Sequence, residues 1–368
     1  MPATVSLTVD NGPSPTAVIC LSPGTGGMEH DAIKLADLLS ECCEVVLICK
    51  KNSFIEDRCN EGDHIFDCRP VAFTNKSFSV SMLVATAKLL KKYAIRNVVY
   101  FGASELKTLY FSFRGKDLNV IVRHGTTKSR AKKGRFHRLV YSCVSYHVAI
   151  SRHLLENVRG ILPRSRTTLF RVIYPSFSFR QLPTEPHSTA KPIRIVHLGR
   201  VARGKGHKDA MLACRVLYER AIDFELRFFG DCNDRRYLKD LKDVTKQLPY
   251  GDRVKFLGYV RDVGRCLDDA DIFLYPSYGE GFGNVFVEAM GHGLSTVTYE
   301  NTTFPEFREI GFKFRMAKSK DISALSHALL EAVTNIENDK IHSGENAALA
   351  ANIFNTEREL EEWRSILL

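Results

Sequence analysis

Glu280-Gly-Phe-Gly-Asn-Val-Phe-Val-Glu288 is the stretch whose reading decides the fold class of this 368-residue chain. Just upstream, Asp271-Ile-Phe-Leu-Tyr-Pro-Ser277 is a short apolar run closed by Pro276, the pattern of a strand buried in a parallel sheet. The two stretches together predict a strand, a Gly-rich turn and a helix that begins near Asn284. Gly281 and Gly283 let a ligand approach the main chain, and the free N–H groups of a first helical turn attract an anion. A diphosphate fits such a place. Glu280 in the loop and Glu288 about one turn into the helix can accept hydrogen bonds from sugar and ribose hydroxyls. Complementing the helix dipole would account for one glutamate, but not for both together with the two glycines.

Outward from this motif, short apolar runs alternate with amphipathic stretches, which predicts an α/β protein with parallel sheets. Strands are expected at Thr16–Leu21, Glu44–Cys49, Asn97–Phe101, Leu118–Val122, Tyr146–Ile150 and Val172–Tyr174, with helices at Glu29–Leu39 and Val80–Tyr93. From Ser178 to Pro192 the chain is rich in Pro, Ser, Thr and Gln without periodicity, which marks a linker. Beyond it come strands at Ile193–Leu198, Phe224–Phe229, near Val254 and Ile272, and at Thr296–Tyr299. Helices are expected at Lys208–Arg220, Arg236–Gln247, Ile322–Val333 and Glu357–Ile366.

Gly199-Arg-Val-Ala-Arg-Gly-Lys-Gly206 matches most of a Walker A phosphate loop, but Gly206 stands where that loop needs Ser or Thr to reach Mg²⁺. Arg200, a planar bidentate donor, and Lys205, a point charge, can instead neutralise a diphosphate leaving group; a plain surface turn is the bland alternative.

On these residues the chain resembles the retaining glycosyltransferases of family 4, with their E-x7-E signature at Glu280 and Glu288. Gly199–Gly206 is similar to the family's Gly-Arg…Lys-Gly loop, Val254-Lys-Phe-Leu-Gly-Tyr-Val260 to the strand and turn beside the base, Gly26-Gly-Met-Glu29 to its N-terminal glycine loop, and His124-Gly-Thr126 to its His loop near the donor sugar. The resemblance implies a GT-B fold, two Rossmann-like domains with a central interdomain cleft. Residues 1–177 would form the acceptor-binding domain, 178–192 the linker, 193–345 the nucleotide-sugar domain, and 346–368 a helix crossing back to the first domain, with Trp363 as its anchor. It implies a retaining transferase of the hexosyltransferase type, using a nucleotide-sugar, by our reading a UDP-sugar, and a glycan or glycolipid acceptor such as lipopolysaccharide core or another cell-surface glycan. Glu280 would hold the donor sugar through the transition state and Glu288 the ribose hydroxyls. Arg200 and Lys205 would grip the diphosphate with the main-chain amides of Gly283, Asn284 and Val285, Gly281 and Phe282 would belong to the same donor site, Gly258 and Tyr259 would flank the base, and Gly26 and Gly27 would face the diphosphate. His124 is open between a general base, a sugar ligand and a plain polar residue at a strand end, with the resemblance favouring the sugar ligand. Glu29, at the start of a helix, is read as structural.

The net charge of +10 is unevenly placed. Residues 123–138 contain Arg123, Lys128, Arg130, Lys132, Lys133, Arg135 and Arg138, with His124 and His137 and no acid, directly after an apolar strand. Such a segment suits the phosphates of an anionic membrane surface or of an acceptor. Only Phe136 and Tyr141 interleave aromatics with it, which argues against nucleic acid. Asp269-Ala-Asp271 reads as a helix-to-strand boundary, so no metal and no other cofactor is expected, the cations and the helix terminus supplying the positive charge. The 10 cysteines show no paired zinc spacing, and neither a signal peptide nor an apolar run of about 18 residues is visible. A cytoplasmic protein, peripheral at the inner face of the membrane, is the expectation. The competing function is a basic nucleotide-binding protein without transfer activity; a phosphorylase-like reading fails because no pyridoxal-binding lysine context is present.

Overall fold

A computed structural model describes residues 13–75, 78–102, 104–163, 167–179 and 192–368. The chain divides into two compact units, the first comprising the chain to Pro175 with Thr356–Leu368, the second Ser176–Asn355.

In the first unit the strands are β1 (Thr16–Cys20), β2 (Val45–Lys50), β3 (Asp67–Val71), β4 (Asn97–Phe101), β5 (Asn119–His124), β6 (Tyr146–Ala149) and β7 (Leu169–Val172). They form one parallel sheet in the order β3-β2-β1-β4-β5-β6-β7. β1, β4 and β5 are buried along their whole length, because helices cover both faces of a parallel sheet and leave no polar side. β3 escapes the apolar pattern: its sequence Asp-Cys-Arg-Pro-Val carries a proline, which an edge strand tolerates. The helix Thr356–Arg364 belongs to this unit, and Trp363 is fully buried in its core with Leu360 and Ile366. Asn119 Nδ2 donates to the Ile366 carbonyl at 2.7 Å, and the Leu368 N–H donates to Asn97 Oδ1 at 2.9 Å.

In the second unit β8 (Ile193–Leu198), β9 (Phe224–Phe229), β10 (Val254–Gly258), β11 (Ile272–Tyr275), β12 (Ser295–Glu300) and β13 (Arg315–Lys318) form a second parallel sheet, ordered β10-β9-β8-β11-β12-β13. The chain builds outward from β8 to β10, then returns to the other side of β8 with β11. This places a topological switch point between β8 and β11, where the loops leaving the strands' C-terminal ends diverge and open α/β sheets bind ligands.

Two boundaries differ from the expectation. Ser176 already belongs to the second unit: the Phe177 ring stacks on Phe282 and meets Phe354 edge-on, and Phe179 fills the space that a side chain at Gly291 would take. The helix Ile336–Ile353 also packs in the second unit, so the returning segment begins at Thr356 rather than at 346. Of the expected linker, 180–191 lie outside the described residues. Among the described residues no helix is long and apolar enough to cross a membrane.

Candidate functional site

The Gly-rich loops after β8 and β11 are joined backbone to backbone. Tyr278 N–H donates to the Gly204 carbonyl at 2.8 Å, and a Cβ on Gly206 would lie 2.0 Å from the Pro276 carbonyl oxygen. Gly206 also has φ +76°, the left-handed region that glycine alone adopts freely. The departure from the Walker A pattern thus has a physical cause, since Ser or Thr does not fit at this position. His197, fully buried on β8, donates from Nε2 to the Lys205 carbonyl at 2.8 Å and fixes the loop from beneath; burial depresses its pKa to about 4, so the imidazole is neutral.

Lys205 and Glu280 meet directly. Lys205 Nζ donates to Glu280 Oε1 at 2.6 Å and to Oε2 at 2.8 Å. Oε1 further accepts from the Tyr275 hydroxyl and the Ser277 hydroxyl, each at 2.6 Å, and the Glu280 N–H donates to Thr302 Oγ1 at 3.0 Å. Oε1 therefore carries three donors and Oε2 one among the described residues, which leaves Oε2 with lone-pair capacity for a further hydroxyl. The Tyr275 phenol, buried beside this carboxylate, is held protonated well above its ordinary pKa, by burial first and the Glu280 charge second. The sequence reading had given Lys205 to the diphosphate and Glu280 to the sugar; in this structure the two are each other's partners.

Gly283 caps the helix Asn284–Gly291 with φ +92° and ψ +56°, and having no side chain it leaves the first-turn N–H groups of Asn284 and Val285 uncapped from that position. Gly281 is half-buried, Asn284 exposed, and Glu288 half-buried on the same helix. Phe282 is a correction: its ring is 2 % exposed, packed among Phe177, Phe307 and Phe354, so only its main chain is available to a ligand. Arg200 is exposed on the loop after β8. At the same rim Gly258, φ +75°, ends β10 at a bulge, its carbonyl accepting from Gly230, and Tyr259 is 70 % exposed, free to lie against a flat ring. Asp269 and Asp271 sit at the other end of the strands, paired with Arg194, and Asp269 also with Arg227. They brace the start of β8 and β11, and among the described residues no group of three or more His, Cys, Asp or Glu is arranged to hold a metal ion.

In the first unit Gly26 and Gly27 open the helix Gly27–Ser40 after β1, and the buried Glu29 turns back toward them, its carboxylate 3.3 Å from where a Gly26 Cβ would stand. His124 ends β5 but is 1 % exposed. Its Nδ1 lies 3.1 Å from Lys128 Nζ and its Nε2 3.0 Å from His147 Nδ1. An ammonium at Lys128 can only donate, so His124 accepts at Nδ1 and donates from Nε2 to His147. Burial, then the Lys128 charge, hold both rings neutral, His124 well below the usual range and His147 at about 3. The general-base and sugar-ligand readings of the His124 ring are thereby displaced, because both nitrogens are engaged inside the unit. The basic segment needs the same correction: Arg123 is 2 % exposed, bidentate to Asp31 at 2.8 and 3.0 Å and close to Glu359. The surface-exposed cations are Arg130, Lys133, Arg135 and Arg138.

Tyr275, Ser277, Thr302, His197 and His147 were missed by sequence reasoning. Tyr275 and Ser277 carried a signal, their place on the last residues before the acidic loop; the others are brought in from distant strands and loops.

Residues 192–335 match the family model described as Glycosyl transferases group 1. Over 150 residues the chain is 33 % identical to the amylovoran biosynthesis glycosyltransferase AmsK of Erwinia amylovora, a match covering 38 % of this chain and 36 % of that protein. The chain thus spans between about a third and a half of the length of the first curated relatives it matches. Among solved structures it is similar to Anabaena Alr3699/HepE in complex with UDP and glucose, with a TM-score of 0.78 at 16 % identity, covering 95 % of this chain and 98 % of that one. A glycosyltransferase from Rickettsia africae gives a TM-score of 0.81 at 15 % identity, covering 97 % and 98 %. The fold is an α/β GT-B fold.

Proposed function

We propose that this protein is a retaining glycosyltransferase that moves a sugar from a nucleotide-sugar, by our reading a UDP-sugar, to a glycan or glycolipid acceptor without a metal ion. The observation that carries this reading is the Glu280 carboxylate, fixed by Lys205, Tyr275 and Ser277 at the switch point with one oxygen still able to accept a hydroxyl. Uncapped amides at Asn284 and Val285, with Arg200 and Lys205, suit the diphosphate; Glu288 suits the ribose, and the exposed Tyr259 suits the base. In the reaction the bond from the anomeric carbon to the diphosphate oxygen breaks. The acceptor oxygen bonds to that carbon on the same face, and its proton passes to the departing diphosphate. Glu280 and Lys205 then act on the charge that develops between sugar and leaving group. Support for UDP comes from the UDP and glucose bound in the HepE structure, and support for a cell-surface glycan from the amylovoran role of AmsK and from a structural likeness, TM-score 0.69, to the lipopolysaccharide outer core galactosyltransferase WaaB. Cytoplasmic residence at the inner membrane face belongs to the same proposal.

The second reading, a nucleotide-binding protein without transfer activity, draws on the Lys205–Glu280 ion pair, which a purely structural bridge between the two loops would also explain. A nucleotide-sugar screen for hydrolysis and thermal stabilisation, with and without EDTA, followed by Glu280→Gln, separates the two. Transfer predicts that Glu280→Gln raises the barrier by about 2.7–4 kcal/mol while nucleotide affinity changes little. Turnover at the parent rate in the folded variant would leave the binder as the better account, and activity abolished by EDTA and restored by Mg²⁺ would end the metal-free part.

A further inference from the structure

Lysine side chains normally carry their ammonium out to water. Three lysines in the first unit stand out from that pattern together, at one end of the sheet. Lys107, Lys128 and Lys132 are each half-buried, and among the described residues none forms a salt bridge with a carboxylate. They come from the C-terminal side of adjacent strands: Lys107 from the first turn of the helix Leu106–Phe113 that follows β4, the other two from the loop that follows β5. β4 and β5 are hydrogen-bonded neighbours, so the two segments leave the sheet side by side, and in keeping with that Lys132 depresses the pKa of Lys128, which burial chiefly holds at about 8, and Lys107 depresses that of Lys132. The one carboxylate acting against this is Glu105, itself buried and accepting from the Tyr100 hydroxyl at 2.9 Å.

The lysines are also built into place. Asn157 clamps the Lys128 main chain in both directions, Oδ1 accepting from its N–H and Nδ2 donating to its carbonyl, each at 3.0 Å. The Lys132 N–H donates to the Ile161 carbonyl at 2.7 Å. The side chain of Lys128 rests on the His124–His147 chain. Holding like charges together in a partly desolvated place is unfavourable unless an anion shares it.

We propose that Lys107, Lys128 and Lys132 form a binding site for a phosphate ester at the C-terminal end of the first sheet, with His124 and His147 as positioning residues that aim Lys128. Under the transfer reading this phosphate is carried by the acceptor, and the inference rests on that reading for that word alone.

Glycerol 3-phosphate is the probe, titrated by calorimetry into the full chain with saturating UDP, so that the loop bearing Lys205 is occupied. The same titration into Lys205→Ala without nucleotide serves if the parent does not bind UDP, a result that would sink the UDP part of the transfer reading while this site is still decided by the titration. Saturable binding is expected, weakened on the order of thirtyfold in Lys128→Met and Lys132→Met and by less than about twofold in Lys133→Met, an exposed neighbour on the same loop. Absence of saturable binding, or equal losses in all three variants, overturns the site. A measurement on the parent guards against variants that fail to fold. After ¹³C-dimethylation of lysines, the Lys128 resonance, identified by its low titration point, should titrate at higher pH with the ester bound, and an unmoved titration counts against the site. His147→Gln should move that titration point without ligand; if it does not, the positioning role is wrong. Tighter binding of a short-chain phosphatidic acid than of glycerol 3-phosphate assigns the phosphate to a lipid, and the reverse order to a soluble ester.

Discussion

Glu280 shows how little of a functional side chain's environment is contained in its own motif. The seven-residue spacing to Glu288 pointed to a carboxylate at the ligand, but the donors that orient it come from the end of β11, from Ser277 just beyond it and from the β8 loop, while Thr302 in the loop after β12 accepts from the Glu280 main-chain N–H. His147 illustrates the same point with a consequence for stability. It is neutral in the folded protein, its pKa depressed by burial and by Lys128 to about 3, whereas in the unfolded chain it titrates near 6.5. Between those values the unfolded state binds the extra proton, so stability falls as pH drops through 6.5 and levels off below about 3; His197 does the same down to about 4. Each group contributes at most about 1.4 kcal/mol per pH unit in its window. Urea unfolding at pH 7 and pH 5 should show a smaller acid loss in His147→Gln than in the parent, and identical losses would contradict the burial of a neutral imidazole there.

At the scale of elements, the loops after β8 and β11 act as one platform because Gly206 admits the Pro276 carbonyl. Gly206→Ser combines a left-handed backbone with a clash that neither loop can relieve separately. It should lower stability by about 2 kcal/mol or more, read as a lower thermal midpoint, and should weaken UDP binding. An unchanged midpoint would mean that the two loops are not in contact. The inner strands were legible in the sequence from their apolar residues: β4, buried on both faces, and β9, whose burial alternates, fall at Asn97–Phe101 and Phe224–Phe229 as read. Three of the four sheet edges were not, β10 near Val254 being the exception. β3 with its Pro70, and β13, Arg-Met-Ala-Lys, are partly exposed and carry no apolar run, and β7 lies at Leu169–Val172, N-terminal of the expected Val172–Tyr174. The single helix expected at Lys208–Arg220 is two, His207–Ala213 and Arg215–Glu219, a break that an unbroken amphipathic pattern conceals. Phe282 was placed in the donor site by its position in the motif, although its ring, in the loop before the helix, is used as core against Phe177, Phe307 and Phe354. Lys128 was read as one charge among several in a phosphate-attracting segment after a strand, and only the fold reveals His124 and Asn157 around it.

For the whole molecule, the positive charge available to a membrane is narrower than the sequence suggested, and it has apolar company. Arg135 and Arg138 lie on the helix Arg135–Tyr141 beside Phe136 and Leu139, which are 41 % and 48 % exposed, and the exposed Phe78 ring stands 6.0 Å from that of Phe136. Replacing Arg130, Lys133, Arg135 and Arg138 with Ser should weaken sedimentation with anionic vesicles by about 1 kcal/mol per charge, with a salt-sensitive loss, while UDP affinity stays unchanged. Equal retention on neutral and anionic vesicles would remove the membrane proposal. The return of Thr356–Leu368 to the first unit bears on the order in which the molecule is made. Domains fold as units during synthesis, N-terminal first, at about 5–20 residues per second. Here the unit begun first lacks Trp363, the carbonyl that Asn119 binds and the Glu359 carboxylate near Arg123 until all of Ser176–Asn355 has left the ribosome. For roughly ten to thirty seconds of translation its sheet is present without its closing helix. The second unit, begun later, is the first that can finish folding, and the half that emerges first is the last to close.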